Sequence, residues 1–250
     1  MNVIFLGTNG WYDSPTGHTV SVLVATPRYH IVFDAGSGFA QLPDYLAGLP
    51  RRPLFLFLSH FHLDHIIGLH TMVKLPVTRL VIAGPPGARA IIASFVNSPY
   101  TVPLSYIETR YPVKVLELPG NEHALPFPVT ALPLLHESPT IGYRVELGRK
   151  VLTYCTDTGY CENAVTLARK ADLLITDCAY RVGEQDANWP HLNPESAAAL
   201  AVAAEAKALV LTHFDASRYR ALDDRQAAEY EARKVFPHTT ASTDGMTITV

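Results

Sequence analysis

Leu54-Phe55-Leu56-Phe57-Leu58 is an unbroken apolar run, and Ser59-His60-Phe61-His62-Leu63-Asp64-His65 follows it directly. A short apolar run bounded by polar residues reads as a strand buried in a sheet. Here that strand ends in three histidines and an aspartate. A chain with a buried strand of this kind needs other layers to cover it, and the sheet edge then becomes a place where metal-binding side chains gather. In an extended turn His60 and His62, two residues apart, face the same side and can chelate one ion. Asp64 and His65 follow where the chain bends into the next helix and point elsewhere, which suits a second ion.

The rest of the chain can supply such a frame. Its 250 residues fit one domain spanning 1–250, and 48% hydrophobic with 17% charged residues is enough apolar material for a large core. In the first half the strands are NVIFLG, TVSVLVAT, HIVFDAG, LFLFLS and RLVIAG, with helices from about Phe39 to Ala47, over IIGLHTMVKL and over GARAIIASFV. VKVLEL, PVTALPLLH, IGYRVEL and KVLTYCTD are four further strands. NAVTLARKA is a helix, DLLITDCAY a strand, LVLTH a strand, DDRQAAEYEARKVF a helix and MTITV a closing strand. PESAAALAVAAEAKA is the clearest helix, with Asn193 at its N-cap and Pro194 at N1. Two β-rich halves that each carry helices pack most simply as an α/β four-layer αββα sandwich of two mixed sheets.

Composition also bounds the surroundings and partners. No stretch reaches the roughly 18 consecutive apolar residues of a membrane helix, and MNVIFLGTNG has no basic segment of the kind that opens a signal peptide. Cys155, Cys161 and Cys178 are odd in number and lack zinc-ribbon spacing, which suits reduced thiols and a cytoplasmic location. A net charge of −3 offers no general attraction for nucleic acid, and Arg51-Arg52 is the only basic doublet near the histidine cluster. A long nucleic acid is therefore not the expected partner. A homodimer is compatible with all of this.

Several strands end in His or Asp: Asp34, His60, His136, Asp157 and His213. One polar strand end means little, but five such ends plus the cluster converge if the strands share an edge. Two ions need about six or seven protein ligands, and His136, Asp157 and His213 complete the count. Imidazole and carboxylate without thiolate suit Zn²⁺, with Mn²⁺ or Fe²⁺ also compatible.

His60-Phe61-His62-Leu63-Asp64-His65 resembles the HxHxDH signature of the metallo-β-lactamase superfamily, and the resemblance runs from Asp34 to His213. It implies the αββα fold, with His60, His62 and His136 as ligands of one metal and Asp64, His65 and His213 as ligands of another. Asp157 is implied as the bridging carboxylate, and Asp34 as a support behind the ligands. Classical β-lactamases usually lack the last histidine of the signature, and di-iron flavoproteins usually carry Glu at the position of His62. HESPTIGYRV after His136 and HLNPESAA at His191 are similar to segments of the phosphodiesterase branch, which holds ribonuclease Z and the cyclic phosphodiesterases. Asp177 stands where that branch has an acidic partner for the histidine.

A phosphodiester leaving group needs a proton, and a histidine held by a carboxylate can donate one. His191 with Asp177 is the expected acid, and Asp64 is expected to orient the nucleophile as well as bind metal. The helix start at Pro194 favours a nearby phosphate oxygen. Only ELGRK separates IGYRV from VLTYCTD, where many ribonuclease Z members carry a long tRNA-grasping arm. The expected enzyme is thus a two-metal phosphodiesterase for a small, cyclic or short, nucleotide-like phosphodiester. The rivals are a tRNA 3′ endonuclease, an ester or lactone hydrolase with the same metals, and a weakly active protein that binds a nucleotide or a partner.

Overall fold

The computed structural model describes residues 1–250. The strands of the first sheet lie in the order Thr247–Thr249, Asn2–Gly7, Ser21–Ala25, His30–Phe33, Pro53–Phe57, Arg79–Gly84 and Val113–Glu117. The last four are mutually parallel and the others pair antiparallel. The second sheet runs Thr239–Ala241, Leu209–Thr212, Leu173–Asp177, Lys150–Cys155, Ile141–Leu147 and Val129–Pro133. Its first four strands are parallel and the last two pairings antiparallel. Parallel strands deliver their C-terminal ends to one edge, so each sheet presents a row of loops there.

The period-two alternation of a strand explains the layering. In Leu54–Leu58, Phe55 and Phe57 join the core between the sheets, while Leu54, Leu56 and Leu58 join the core under the helices. In the second sheet Leu173, Ile175 and Val210 face the other sheet, while Leu174, Leu209 and Leu211 face helices. Each helical segment thus covers the outer face of one sheet, giving the four layers α, β, β, α. Phe33 and Tyr154 stack across the sheet interface with centroids 4.8 Å apart.

Several expected elements differ in detail. The expected helix over Phe39 to Ala47 is a 3₁₀ turn, Ser37–Gln41, running into a short α-helix, Leu42–Leu46. IIGLHTMVKL is mostly a 3₁₀ helix, Ile67–Lys74, after one α turn, Leu63–Ile66. Close packing constrains this segment: a Cβ on Gly68 would lie 2.3 Å from the Gly36 carbonyl oxygen. The alanine-rich helix starts as expected, with Asn193 accepting from the Ser196 amide, but it stops at Ala203. Glu205 takes a φ of 53°, and the Ala206 and Glu205 amides bond to the Ala201 and Val202 carbonyls. That is a Schellman stop without its usual glycine, which explains why no stop signal was readable. The strand Thr239–Ala241, the helix Leu104–Glu108 and the small pair Asn9–Gly10 with Phe214–Asp215 carried no pattern long enough to read.

Candidate active site

The site lies where the two rows of C-terminal strand ends meet. Asp34 follows His30–Phe33, His60 follows Pro53–Phe57, Asp177 closes Leu173–Asp177, and His213 follows Leu209–Thr212. Asp157 lies just past Lys150–Cys155, and His136 just past Val129–Pro133. Asp34, Asp157 and His213 have φ of 55°, 51° and 57°. Left-handed backbone at a non-glycine residue carries strain and persists where the surroundings hold it. Each of these kinks swings a side chain off its strand axis into the gap between the sheets.

The donors fall into groups. His60, His62, His136 and Asp157 form one, and Asp64, His65 and His213 another. Asp157 spans the two. Its Oδ1 lies 3.8 Å from His136 Nε2 and 4.0 Å from His60 Nε2, while its Oδ2 lies 3.0 Å from His65 Nε2 and 3.2 Å from His213 Nε2. Asp64 Oδ2 is 3.3 Å from His213 Nε2 and 3.5 Å from His65 Nε2. His60 Nε2, His136 Nε2 and Asp157 Oδ2 are buried and make no aligned hydrogen bond. Buried polar atoms are ordinarily satisfied. Orphaned imidazole nitrogens converging with carboxylate oxygens are the donor set that fits a divalent cation.

Two buried carboxylates stand behind these donors. Asp34 accepts from the Ser59 amide at 2.7 Å, Ser59 Oγ at 2.9 Å, Tyr154 Oη at 2.7 Å and His65 Nδ1 at 2.8 Å. Its grip on Nδ1 leaves His65 Nε2 free to face the second group. Asp177 does the same for two histidines. Its Oδ1 is 3.0 Å from His213 Nδ1, and its Oδ2 is 3.1 Å from His191 Nδ1 and 2.8 Å from the Leu192 amide. Sequence reasoning paired Asp177 with His191 alone; the hold on His213 comes from the packing of adjacent parallel strands.

A family model described as "Beta-lactamase superfamily domain" matches residues 29–214 of this chain. The chain belongs to this family. This β-lactamase-superfamily domain is a metal-dependent hydrolase. It is 29% identical to a protein named ribonuclease Z from Cyanothece sp., over 314 positions covering 99% of this chain and 95% of the relative. Among solved structures, the metallo-β-lactamase fold protein YhfI from Bacillus subtilis superposes with a TM-score of 0.78 at 22% identity, covering 99% of this chain and 98% of the other. The short form of human tRNase Z superposes with a TM-score of 0.74 at 25% identity, covering 100% and 99%.

Charge is tightly balanced inside this superfamily domain. Burial opposes a charge on His65, but Asp157, Asp64 and Asp34 outweigh it and hold its pKa well above the usual histidine range. Burial likewise opposes a charge on His213, yet Asp157, Asp177 and Asp64 raise its pKa to about 10. His60 and His136 are pushed down, first by burial and then by neighbouring histidines. His191 is held above the usual range because the Asp177 carboxylate more than offsets burial. The start of the helix Pro194–Ala203 is less open to an anion than expected, since the Asn193 side chain already occupies the Ser196 amide.

A cavity of about 780 Å³ opens over the donors. Trp11, Tyr12, Trp189, Tyr180 and Arg218 line it with His62, Asp64, Asp157, His191 and His213. Tyr180, which follows the strand ending at Asp177, lines the cavity, whereas Tyr160, near Asp157, does not. Gly10 and Trp11 escaped sequence reading although their backbone shapes the site. A Cβ on Gly10 would sit 2.6 Å from the His213 ring, and the Trp11 amide donates to Asp64 Oδ2 at 2.7 Å. Trp189 was missed too; its one signal was its place two residues before His191. His18 turns away from the site to Asp244, with Nδ1 2.9 Å from the carboxylate. The three cysteines are free thiols that belong to none of the donor groups. No helix is long and apolar enough to cross a membrane.

Proposed function

We propose that this protein is a two-metal phosphodiesterase for small, cyclic or short phosphodiesters. The observation that carries this reading is the Asp177–His191 pair beside donor groups spanned by one carboxylate. His60, His62, His136 and Asp157 would hold one ion, and Asp64, His65, His213 and Asp157 the other, with zinc the best match to the donors. When bound, the ions supply an activated water and neutralise charge developing on phosphorus. Asp64, fixed by the Trp11 amide, orients the attacking water. His191, kept doubly protonated by the Asp177 carboxylate that accepts from its Nδ1, gives the proton on its Nε2 to the departing oxygen. An ester or lactone hydrolase with the same metals also expels an alkoxide, so substrate preference separates that rival from this reading.

The relatives named ribonuclease Z support a second reading, cleavage of an RNA phosphodiester. Against it stands length. The match to the Cyanothece relative takes 314 positions against the 250 residues of this chain, so this chain lacks at least 64 of the matched positions. Arg51-Arg52 offers no substitute grip, because it precedes the strand Pro53–Phe57 and lies at the end away from the site. The test is a substrate panel with metal-loaded protein: cyclic nucleotides and small linear phosphodiesters, precursor tRNA, and lactones. The small phosphodiesters should be turned over fastest. Preferential lactone hydrolysis, or efficient trimming of precursor tRNA with little action on small diesters, would replace this reading.

A further inference from the structure

The mouth of the cavity carries aromatic surface that neither the fold nor the metal donors need. Trp11 is 68% exposed, Tyr12 45% and Trp189 44%. Large aromatic side chains usually bury most of their surface, and exposed ones grouped around a cleft mark contact sites. Trp189 lies parallel to His62, at an interplanar angle of 3° with centroids 6.0 Å apart, and its ring edge reaches His136 and His191. Trp11 enters from the other end of the chain and packs at an angle against Tyr12. Its φ is 74°, a conformation that glycine adopts freely and a bulky residue resists. Folding alone would favour glycine at this position. The backbone amide that Trp11 gives to Asp64 could come from any residue except proline, so the indole itself needs another explanation.

The charge at the mouth says what kind of ligand suits it. Arg218 is the one Lys or Arg lining the cavity. Its guanidinium is already engaged by Asp215 and Glu184 and lies over the Tyr180 ring, with Cζ 4.9 Å from the centroid. Asp186 lines the same wall. A run of phosphates meets little free positive charge here, whereas an uncharged planar ring meets indole and phenol surfaces. A volume of about 780 Å³ is in the range that encloses a small organic ligand (~300–1,000 Å³).

The geometry points to a stacking subsite, built by Trp11 and Trp189 with Tyr12, that binds the nucleobase of a small phosphodiester whose phosphate sits at the donor groups. This rests on the phosphodiesterase reading and adds a substrate class to it: mononucleotide-like diesters rather than alkyl or sugar phosphodiesters. Base-on-aromatic stacking tolerates any base, so the subsite selects for a base without choosing among bases.

The chain has two tryptophans, Trp11 and Trp189, and both line this cavity. Its intrinsic tryptophan fluorescence therefore reports on the mouth alone. The experiment compares adenosine 5′-monophosphate with ribose 5-phosphate, which keeps sugar and phosphate but lacks the base. Zinc-loaded protein is titrated with each by calorimetry and by fluorescence. The nucleotide should bind about 5- to 100-fold more tightly, the range expected for one or more stacked faces, and only the nucleotide should quench tryptophan emission strongly. Trp189→Ala and Trp11→Gly should each shrink the affinity ratio, and the double variant should bring it close to one. Trp189→Phe should retain most of it. Trp11→Gly keeps the amide to Asp64 and relieves the backbone, so its melting temperature and zinc content should hold or rise while the ratio falls. Equal binding of both ligands by the native protein, or a ratio unchanged by both substitutions, would overturn the subsite and leave the phosphodiesterase reading standing. Failure of both ligands to bind would overturn the phosphate-site reading and the subsite with it.

Discussion

Asp177→Asn should damage His213 as a metal donor, besides removing the charge that holds the His191 pKa up. The wild-type carboxylate accepts three hydrogen bonds, from His213 Nδ1 at Oδ1 and from His191 Nδ1 and the Leu192 amide at Oδ2. An amide has one accepting oxygen and one donating NH₂. The Leu192 N–H is always a donor, so the asparagine oxygen takes the Oδ2 position and still accepts from His191. The NH₂ then faces His213 Nδ1 and forces that nitrogen to accept. His213 must carry its proton on Nε2, the atom that lies 3.3 Å from Asp64 and 3.2 Å from Asp157. A protonated Nε2 is no metal ligand. Loss of a partner of this type typically costs about 10–100-fold in metal affinity or activity. Zinc affinity, measured by chelator competition, should fall by that amount for one of two ions. Activity should fall on bis(p-nitrophenyl) phosphate, which has a good leaving group, as well as on an alkyl diester, which has a poor one and also feels the weakened His191. Excess zinc should restore much of the loss on the nitrophenyl ester. His191→Ala should behave in the opposite way, keeping both metals and losing roughly 10²–10⁴-fold on the poor leaving group with a much smaller loss on nitrophenolate. If Asp177→Asn keeps both metals and loses activity on the poor leaving group alone, the tautomer argument is wrong. If His191→Ala loses metal, its place near Asp157 and His213 marks it as a ligand instead.

Elemental analysis of protein purified without chelator should give about two metal ions per chain, and the content should survive thiol alkylation; cysteine-held metal would contradict the site. Gly10→Ala places a methyl group 2.6 Å from the His213 ring, so it should lower kcat by at least tenfold, a loss of about 1.4 kcal/mol in barrier terms, with little change in far-ultraviolet circular dichroism. Precursor tRNA should be cleaved poorly relative to bis(p-nitrophenyl) phosphate at physiological salt, as gel analysis of the RNA would show. His30 is buried, its Nδ1 makes no hydrogen bond, and burial with the nearby Arg52 lowers its pKa. The unfolded chain then binds more protons below about pH 6.5, so stability is lost as pH falls from there toward the folded pKa, by at most about 1.4 kcal/mol per pH unit. Denaturant melts of the metal-loaded protein should show His30→Leu with a shallower loss than wild type between pH 6.5 and 5; an unchanged slope would refute this.

The donors of the site and the elements that carry them were legible because both are local properties. The alternation in Leu54–Leu58 fixes which side chains face each layer, and the polar residues after each apolar run mark the strand ends. The Asn193 cap announced its helix because a cap is read within four residues. Length was harder to read where glycine was missing from a stop, as at Glu205, and helix type where a helical pattern folds as a 3₁₀ helix, as over Ile67–Lys74. The tertiary structure alone decided which oxygen of Asp157 faces which histidines, that Asp177 holds His213 as well as His191, and that Trp11 and Trp189 share one mouth. Those relations join residues far apart in the chain. Backbone periodicity carries no information about them; they are set by how two twisted sheets pack and where their parallel strands end.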